Sequence, residues 1–61
     1  MKRTALLRHL FHHGCSIIRE GGKHTVVLNT LTQRISSVPR HNEIDEFLAK
    51  KICRDLGIEN S

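Results

Sequence analysis

Sixty-one residues allow a single domain, taken as 1–61, and a chain this short buries only about 60% of the surface its unfolded form exposes. That excludes a deep cavity and favours a large substrate lying across the surface. With two Phe and neither Trp nor Tyr, a platform for stacking single-stranded bases is nearly excluded as well. The formal charge is +4 and unevenly placed: residues 1–40 carry Lys2, Arg3, Arg8, Arg19, Lys23, Arg34 and Arg40 against Glu20 alone, whereas 41–61 carry three cations against five acids. One cationic end suits an anionic polymer; the alternative is a basic surface that serves only solubility.

Cys15 and Cys53 are too few and too far apart for a metal knuckle or a disulfide framework. Both stand in apolar company, as free buried thiols in a reducing compartment would. No apolar run approaches the roughly 18 residues of a membrane span. After Met1-Lys2-Arg3 no apolar stretch follows, since Arg8 and His9 interrupt it, so no signal peptide is expected. A cytoplasmic protein with no membrane partner is the reading.

In chain order, Thr4 is a candidate N-cap, and Leu6, Leu7, Leu10 and Phe11 then mark one face of a helix over about 4–13. Gly14 is placed to end it, with Cys15 folding over Leu10. His9 and His13, spaced i and i+4, could hold a metal. No acidic or thiolate partner stands at useful spacing, so a solvated helix face is preferred and no metal is assigned. Residues 15–20 read as a strand. Gly21-Gly22 reads as a two-residue hairpin turn of the primed type, which needs positive φ, and 23–28 as the second strand. Alternation puts His24, Val26 and Leu28 on one face and Lys23, Thr25 and Val27 on the other. Both faces carry apolar residues, so which one the helices cover stays open. Residues 29–33 form a turn, and 34–38 a third strand ended by Pro39. Asn42 is the candidate cap of a second helix over about 43–56, with Asp45 close to a capping-box position. Its acids lie early and its cations late, as the helix dipole favours. Its apolar stripe is Phe47, Leu48, Ile52, Cys53 and Leu56, with Gly57 as stop and Ile58 folding back on Cys53. The tail 59–61 reads as frayed. The expected fold is α+β, in the order α-β-β-β-α, with two helices on one face of a three-stranded antiparallel sheet.

The stretch Glu20-Gly21-Gly22-Lys23-His24-Thr25 concentrates the chemistry. A glycine turn offers backbone N–H groups, Lys23 a fixed charge, and His24 a group that gives or takes a proton near neutral pH. RNA strand cleavage needs a base for the 2′-hydroxyl, an acid for the leaving oxygen and positive charge for the pentavalent transition state. These residues can supply such functions without a metal, because the RNA's own hydroxyl attacks. The acids lie mostly on the second helix and form no Mg²⁺-binding cluster. A strand histidine with no chemistry is the bland alternative for His24.

The whole set resembles the HicA family of bacterial toxins, which cleave mRNA and are countered by HicB antitoxins. The resemblance covers about residues 1–58. It rests on the first helix ending in His13-Gly14, the Gly21-Gly22-Lys23-His24 hairpin, the Val38-Pro39-Arg40-His41 run, the Glu43-Ile44 helix start and the closing Ile52–Ile58 segment. No piece is specific alone; the set in this order and length is. The resemblance implies a fold like that of double-stranded-RNA-binding domains. It further implies translation-independent endoribonuclease activity on mRNA with no cofactor, and neutralisation by a HicB-like antitoxin covering the site. It implies that His24 is the catalytic residue, with Gly21, Gly22 and Lys23 as the loop around it and Arg40 and His41 in RNA contact or structural support. Arg19, Lys2 and Arg3 complete the candidate RNA-binding set with Gly22, Lys23, Arg40 and His41. The turn over 29–33 departs from the family in carrying no glycine, and His12-His13 is richer in histidine than is usual.

One histidine cannot easily act as base and acid together, so either Lys23 or His41 is the second group or one role falls to water and catalysis is modest. The competing function is a non-catalytic module that holds double-stranded RNA by shape and phosphate contact, or an inactive toxin homologue. A third reading is a protein-interaction domain presenting a half-apolar sheet face or edge strand, with the Val26–Leu28 run as partner surface. It is compatible with the first, since a toxin needs an antitoxin surface. A monomer alone, and a larger complex with antitoxin, is expected.

Overall fold

A computed structural model describes residues 1–58. Helix α1 (Arg3–His12) is followed by strands β1 (Cys15–Glu20), β2 (His24–Asn29) and β3 (Arg34–Pro39), and then by helix α2 (Glu46–Asp55). The sheet is an antiparallel meander in the order β1-β2-β3, so the α+β, α-β-β-β-α expectation holds. Thr25, Val27 and Asn29 point into the domain, and His24, Val26 and Leu28 lie on the other face. Both helices cover the Val27 side, where Leu6 and Leu10 of α1, Val38 of β3 and Ile52 of α2 close one core with it. The open face therefore includes His24.

The helix starts differ from expectation for identifiable reasons. In α1 the cap position falls to Lys2, with no side-chain cap bond, and Thr4 lies inside the helix. The preceding residues are drawn away into a short seam with the segment before α2. There the Ile44 N–H donates to the Met1 carbonyl at 2.7 Å and the Arg3 N–H to the Asn42 carbonyl at 2.9 Å. That seam pairs Glu43 with Lys2 and keeps residues 42–44 out of the helix, so Asn42 does not cap α2. Asp45 does so instead, its carboxylate accepting from the Phe47 and Leu48 N–H groups. Phe47, expected in the apolar stripe, lies on the opposite side of α2 from buried Ala49, Ile52 and Cys53 and is 83% exposed. Phe11 is likewise largely exposed rather than core.

The helix ends follow expectation. Gly14 and Gly57 both take positive φ, +88° and +76°. The Ile58 N–H donates to the Cys53 carbonyl at 2.8 Å and the Gly57 N–H to that of Arg54 at 3.0 Å, the pairing of a Schellman stop. Residues 59–61, expected to fray, lie outside the described residues.

The turn after β2 solves its missing glycine with Gln33, which takes φ +63°. Its N–H donates to the Asn29 carbonyl at 2.8 Å and its side-chain amide to the Thr30 carbonyl at 2.9 Å. Asn29, buried, donates to the Leu56 carbonyl at 2.8 Å and so ties this turn to the end of α2. β3 runs one residue further than expected and includes Pro39. Its missing N–H is tolerated because β3 is an edge strand.

Candidate active site

The first hairpin carries two corrections to the sequence reading. Neither Gly21 nor Gly22 takes positive φ, so the turn is not of the primed type. It is centred one residue later, on Gly22 and Lys23, with the Gly21 N–H donating to the His24 carbonyl at 2.8 Å. A Cβ on Gly21 would approach that carbonyl to 3.1 Å, whereas one on Gly22 would meet nothing. Close approach, not backbone handedness, is what the first glycine serves. Lys23 thus belongs to the turn, and β2 begins at His24.

Within β1 the register slips. Ile17 faces Val27 and Arg19 faces Val26, which leaves Ile18 as the extra residue of a bulge. Simple alternation would set Arg19 opposite Thr25 and Glu20 opposite His24. The bulge instead sends Arg19 to the open face beside Val26 and brings Glu20 opposite Thr25 on the covered face.

His24 opens β2 directly across from Pro39 of β3. The Arg40 N–H donates to the Lys23 carbonyl at 3.2 Å, which fastens the segment after β3 to the hairpin turn. Lys23, His24, Arg40 and His41 consequently line one open cleft of about 380 Å³. All four side chains are exposed. Two imidazoles, an ammonium and a guanidinium at one concave spot can move protons and neutralise a phosphate.

Behind this cleft runs a hydrogen-bonded chain. The Arg3 guanidinium donates through Nε to the Pro39 carbonyl at 3.0 Å and through Nη2 to Thr25 Oγ1 at 2.6 Å. The fully buried Thr25 hydroxyl donates to Glu20 Oε1 at 2.6 Å. The same oxygen accepts from Arg40 Nη1 at 2.9 Å, and Nη1 lies 3.4 Å from the Gly21 carbonyl. Arg3 is therefore turned inward beneath the cleft. Lys2 lines a neighbouring cleft of about 290 Å³ with Arg3, Thr4 and Asn42. Arg19 stands apart, on the open sheet face. Of the residues singled out from sequence, Gly22, Lys23, His24, Arg40 and His41 gather at one place. Glu20 and Thr25 bound the stretch read from sequence but carry no role there, because their partnership depends on a bulge that alternation does not announce.

The His9 and His13 rings have centroids 4.6 Å apart, tilted by 59°. Among the described residues no group of three or more His, Cys, Asp or Glu is placed to hold a metal ion. Both cysteines are buried and unpaired. Burial raises the Cys15 thiol above its ordinary 9.0, the nearby Cys53 adding to the effect, and burial likewise raises Cys53. Such thiols are inert rather than nucleophilic. No helix among the described residues is long and apolar enough to cross a membrane.

A two-layer α+β domain with an open, cationic, imidazole-bearing cleft at its first hairpin is the class of protein the fold and site define. The chain belongs to the HicA toxin family: the family model described as HicA toxin of bacterial toxin-antitoxin matches residues 4–58. It is thus a toxin of the toxin–antitoxin type, a class that acts together with an antitoxin partner. No curated protein and no solved structure matches the chain.

Proposed function

We propose that the protein is a metal-independent endoribonuclease that cleaves mRNA, with His24 as general acid or base. The observation that carries this reading is the shared cleft of His24, His41, Lys23 and Arg40. One imidazole takes the 2′-hydroxyl proton, and the resulting oxygen attacks the adjacent phosphorus. The bond to the 5′-oxygen then breaks, and a second group returns a proton to that leaving oxygen. His41 and Lys23, both in the cleft, are the candidates for this second role. Lys23 and Arg40 offer charge to the phosphate oxygens as the pentavalent centre forms. Arg19 and Lys2 extend the cationic surface for the flanking RNA.

A HicB-like antitoxin is the proposed inhibitor. The open sheet face carries His24 together with half-buried Val26 and Leu28 of β2, and Ile35 of β3 opposite Leu28. A protein laid on that apolar strip would cover His24 with it. The toxin alone is proposed to be a monomer.

The test is wild type beside His24→Ala with a long mRNA in EDTA. The expected result is cleavage by wild type and a loss of about 10²–10⁴-fold in the variant. Full cleavage by His24→Ala refutes the assignment. Binding without cleavage by either protein replaces it with the non-catalytic RNA-binding module.

A further inference from the structure

The Arg40–Glu20 pair is half-exposed, and pairs of that kind contribute little to stability. Its surroundings are nevertheless elaborate. Glu20 Oε1 is held from behind by a buried hydroxyl, that hydroxyl is held by Arg3, and Arg3 is anchored on the Pro39 carbonyl. The Ile18 bulge is what carries Glu20 into this position, since unbroken alternation would have faced it toward His24. Stability alone gives no reason for so much structure behind a surface pair.

The arrangement leaves Arg40 half-engaged. Its Nη1 is fixed on Glu20 and Gly21, while Nη2 and Nε make no hydrogen bond among the described residues. A guanidinium has five N–H donors in a planar fork. Pinning one nitrogen therefore orients the other two, and phosphate is the group whose geometry such a fork matches.

We propose that Glu20, Thr25 and Arg3 are positioning residues that hold Arg40 at the cleft mouth as a pre-aimed clamp for an RNA phosphate. Thr25 is the central link, because it alone joins the two charged ends. Its hydroxyl accepts from Arg3 and donates to Glu20, and both its hydrogen-bonding directions are fixed. Arg40 then meets the substrate already oriented, so little side-chain freedom is lost on binding. This inference rests on the ribonuclease reading and adds to it a named phosphate contact and the residues that aim it.

The experiment compares Thr25→Val, which removes the hydroxyl at nearly constant shape, Thr25→Ser, which keeps it, and Glu20→Ala, which cuts the chain at an exposed site. Folding of each is checked by circular dichroism. The order of the Arg40 Nε–Hε group is read from its ¹⁵N relaxation without RNA. Affinity for mRNA and its salt dependence are read in a His24→Ala background, and kcat and KM in the active protein. Arg40 is expected to be ordered in wild type and Thr25→Ser and mobile in Thr25→Val and Glu20→Ala. The last two are expected to weaken RNA binding about tenfold, as loss of a charge-assisted contact does. Their plot of log affinity against log salt is expected to be shallower by about 0.7–0.9, one phosphate contact. KM is expected to rise and kcat to fall, because the same guanidinium also faces the charge of the pentavalent centre. Adding Arg40→Ala to Thr25→Val is expected to cost nothing beyond Arg40→Ala alone.

An Arg40 that stays ordered in folded Glu20→Ala, or a double variant whose losses add, overturns the proposal while the ribonuclease reading stands. Absence of RNA cleavage by wild type refutes the ribonuclease reading on which it rests.

Discussion

Gln33 is where the chain departs most plainly from what its backbone asks for, and replacing it with glycine has a calculable outcome. At φ +63° a side chain crowds its own backbone, at a cost of roughly 1–2 kcal/mol for an L-residue. Glycine removes that cost but loosens the unfolded chain by about 0.4–1 kcal/mol. It also gives up the exposed bond from the Gln33 amide to the Thr30 carbonyl, worth about 0.5 kcal/mol. Taken at their midpoints these terms favour Gln33→Gly by about 0.3 kcal/mol, which for a domain of this size raises Tm by about 1–2 °C. Gln33→Ala separates the contributions, because it keeps the strain and loses only the amide bond; it is expected to lower Tm slightly. Calorimetry or thermal circular dichroism at neutral pH decides the matter. A Gln33→Gly protein with Tm equal to or below wild type would show that the turn holds no recoverable strain.

Two further outcomes concern the fold. Asp45→Ala is expected to destabilise by about 1 kcal/mol through loss of the α2 cap, whereas Asn42→Ala is expected to have little effect, measured by urea unfolding. Cys15 and Cys53 have raised folded-state values. The stability they contribute is therefore fully present below the ordinary 9.0 and is lost as pH rises above it toward the folded values, because the unfolded chain releases those protons first. Urea midpoints are expected to fall above about pH 9 in wild type, and to fall less steeply in Cys15→Ala/Cys53→Ala. Equal slopes in the two proteins would remove the thiols from the explanation.

Element order and type were legible because they rest on strong local signals: the leucine pattern of α1, the β-branched runs, and Gly14 and Gly57 at helix ends. The candidate cleft was legible in part for the same reason, since Lys23 and His24 are adjacent in sequence, as are Arg40 and His41. That those two pairs meet follows from the β2–β3 register. What escaped the sequence was set by contacts between distant segments. Asn42 looks like a cap, but the seam with residues 1–3 keeps it outside the helix and passes the role to Asp45. Phe47 looks like part of the stripe by its apolar type, but at 100° per residue it falls opposite Ala49 and Leu56 and faces out. Glu20 and Thr25 read as ordinary strand residues until the bulge at Ile18 turns one toward the other. The positive φ expected of Gly21-Gly22 falls instead on Gln33, a residue that composition gives no cause to suspect.

The seam between residues 1–3 and 42–44 also sets an order of events during synthesis. The two hairpins need only neighbouring sequence and can pair as the chain emerges. The seam cannot close until residue 44 has been made, and the Arg3 bond to the Pro39 carbonyl spans 36 residues. Contacts of such long reach form late, after the loop-closure entropy has been overcome. A nascent chain therefore has His24 on a formed hairpin before Arg3 and the Arg40–Asn42 segment are locked behind it. A partner that recognises the hairpin alone would therefore meet His24 before the groups behind it are in place.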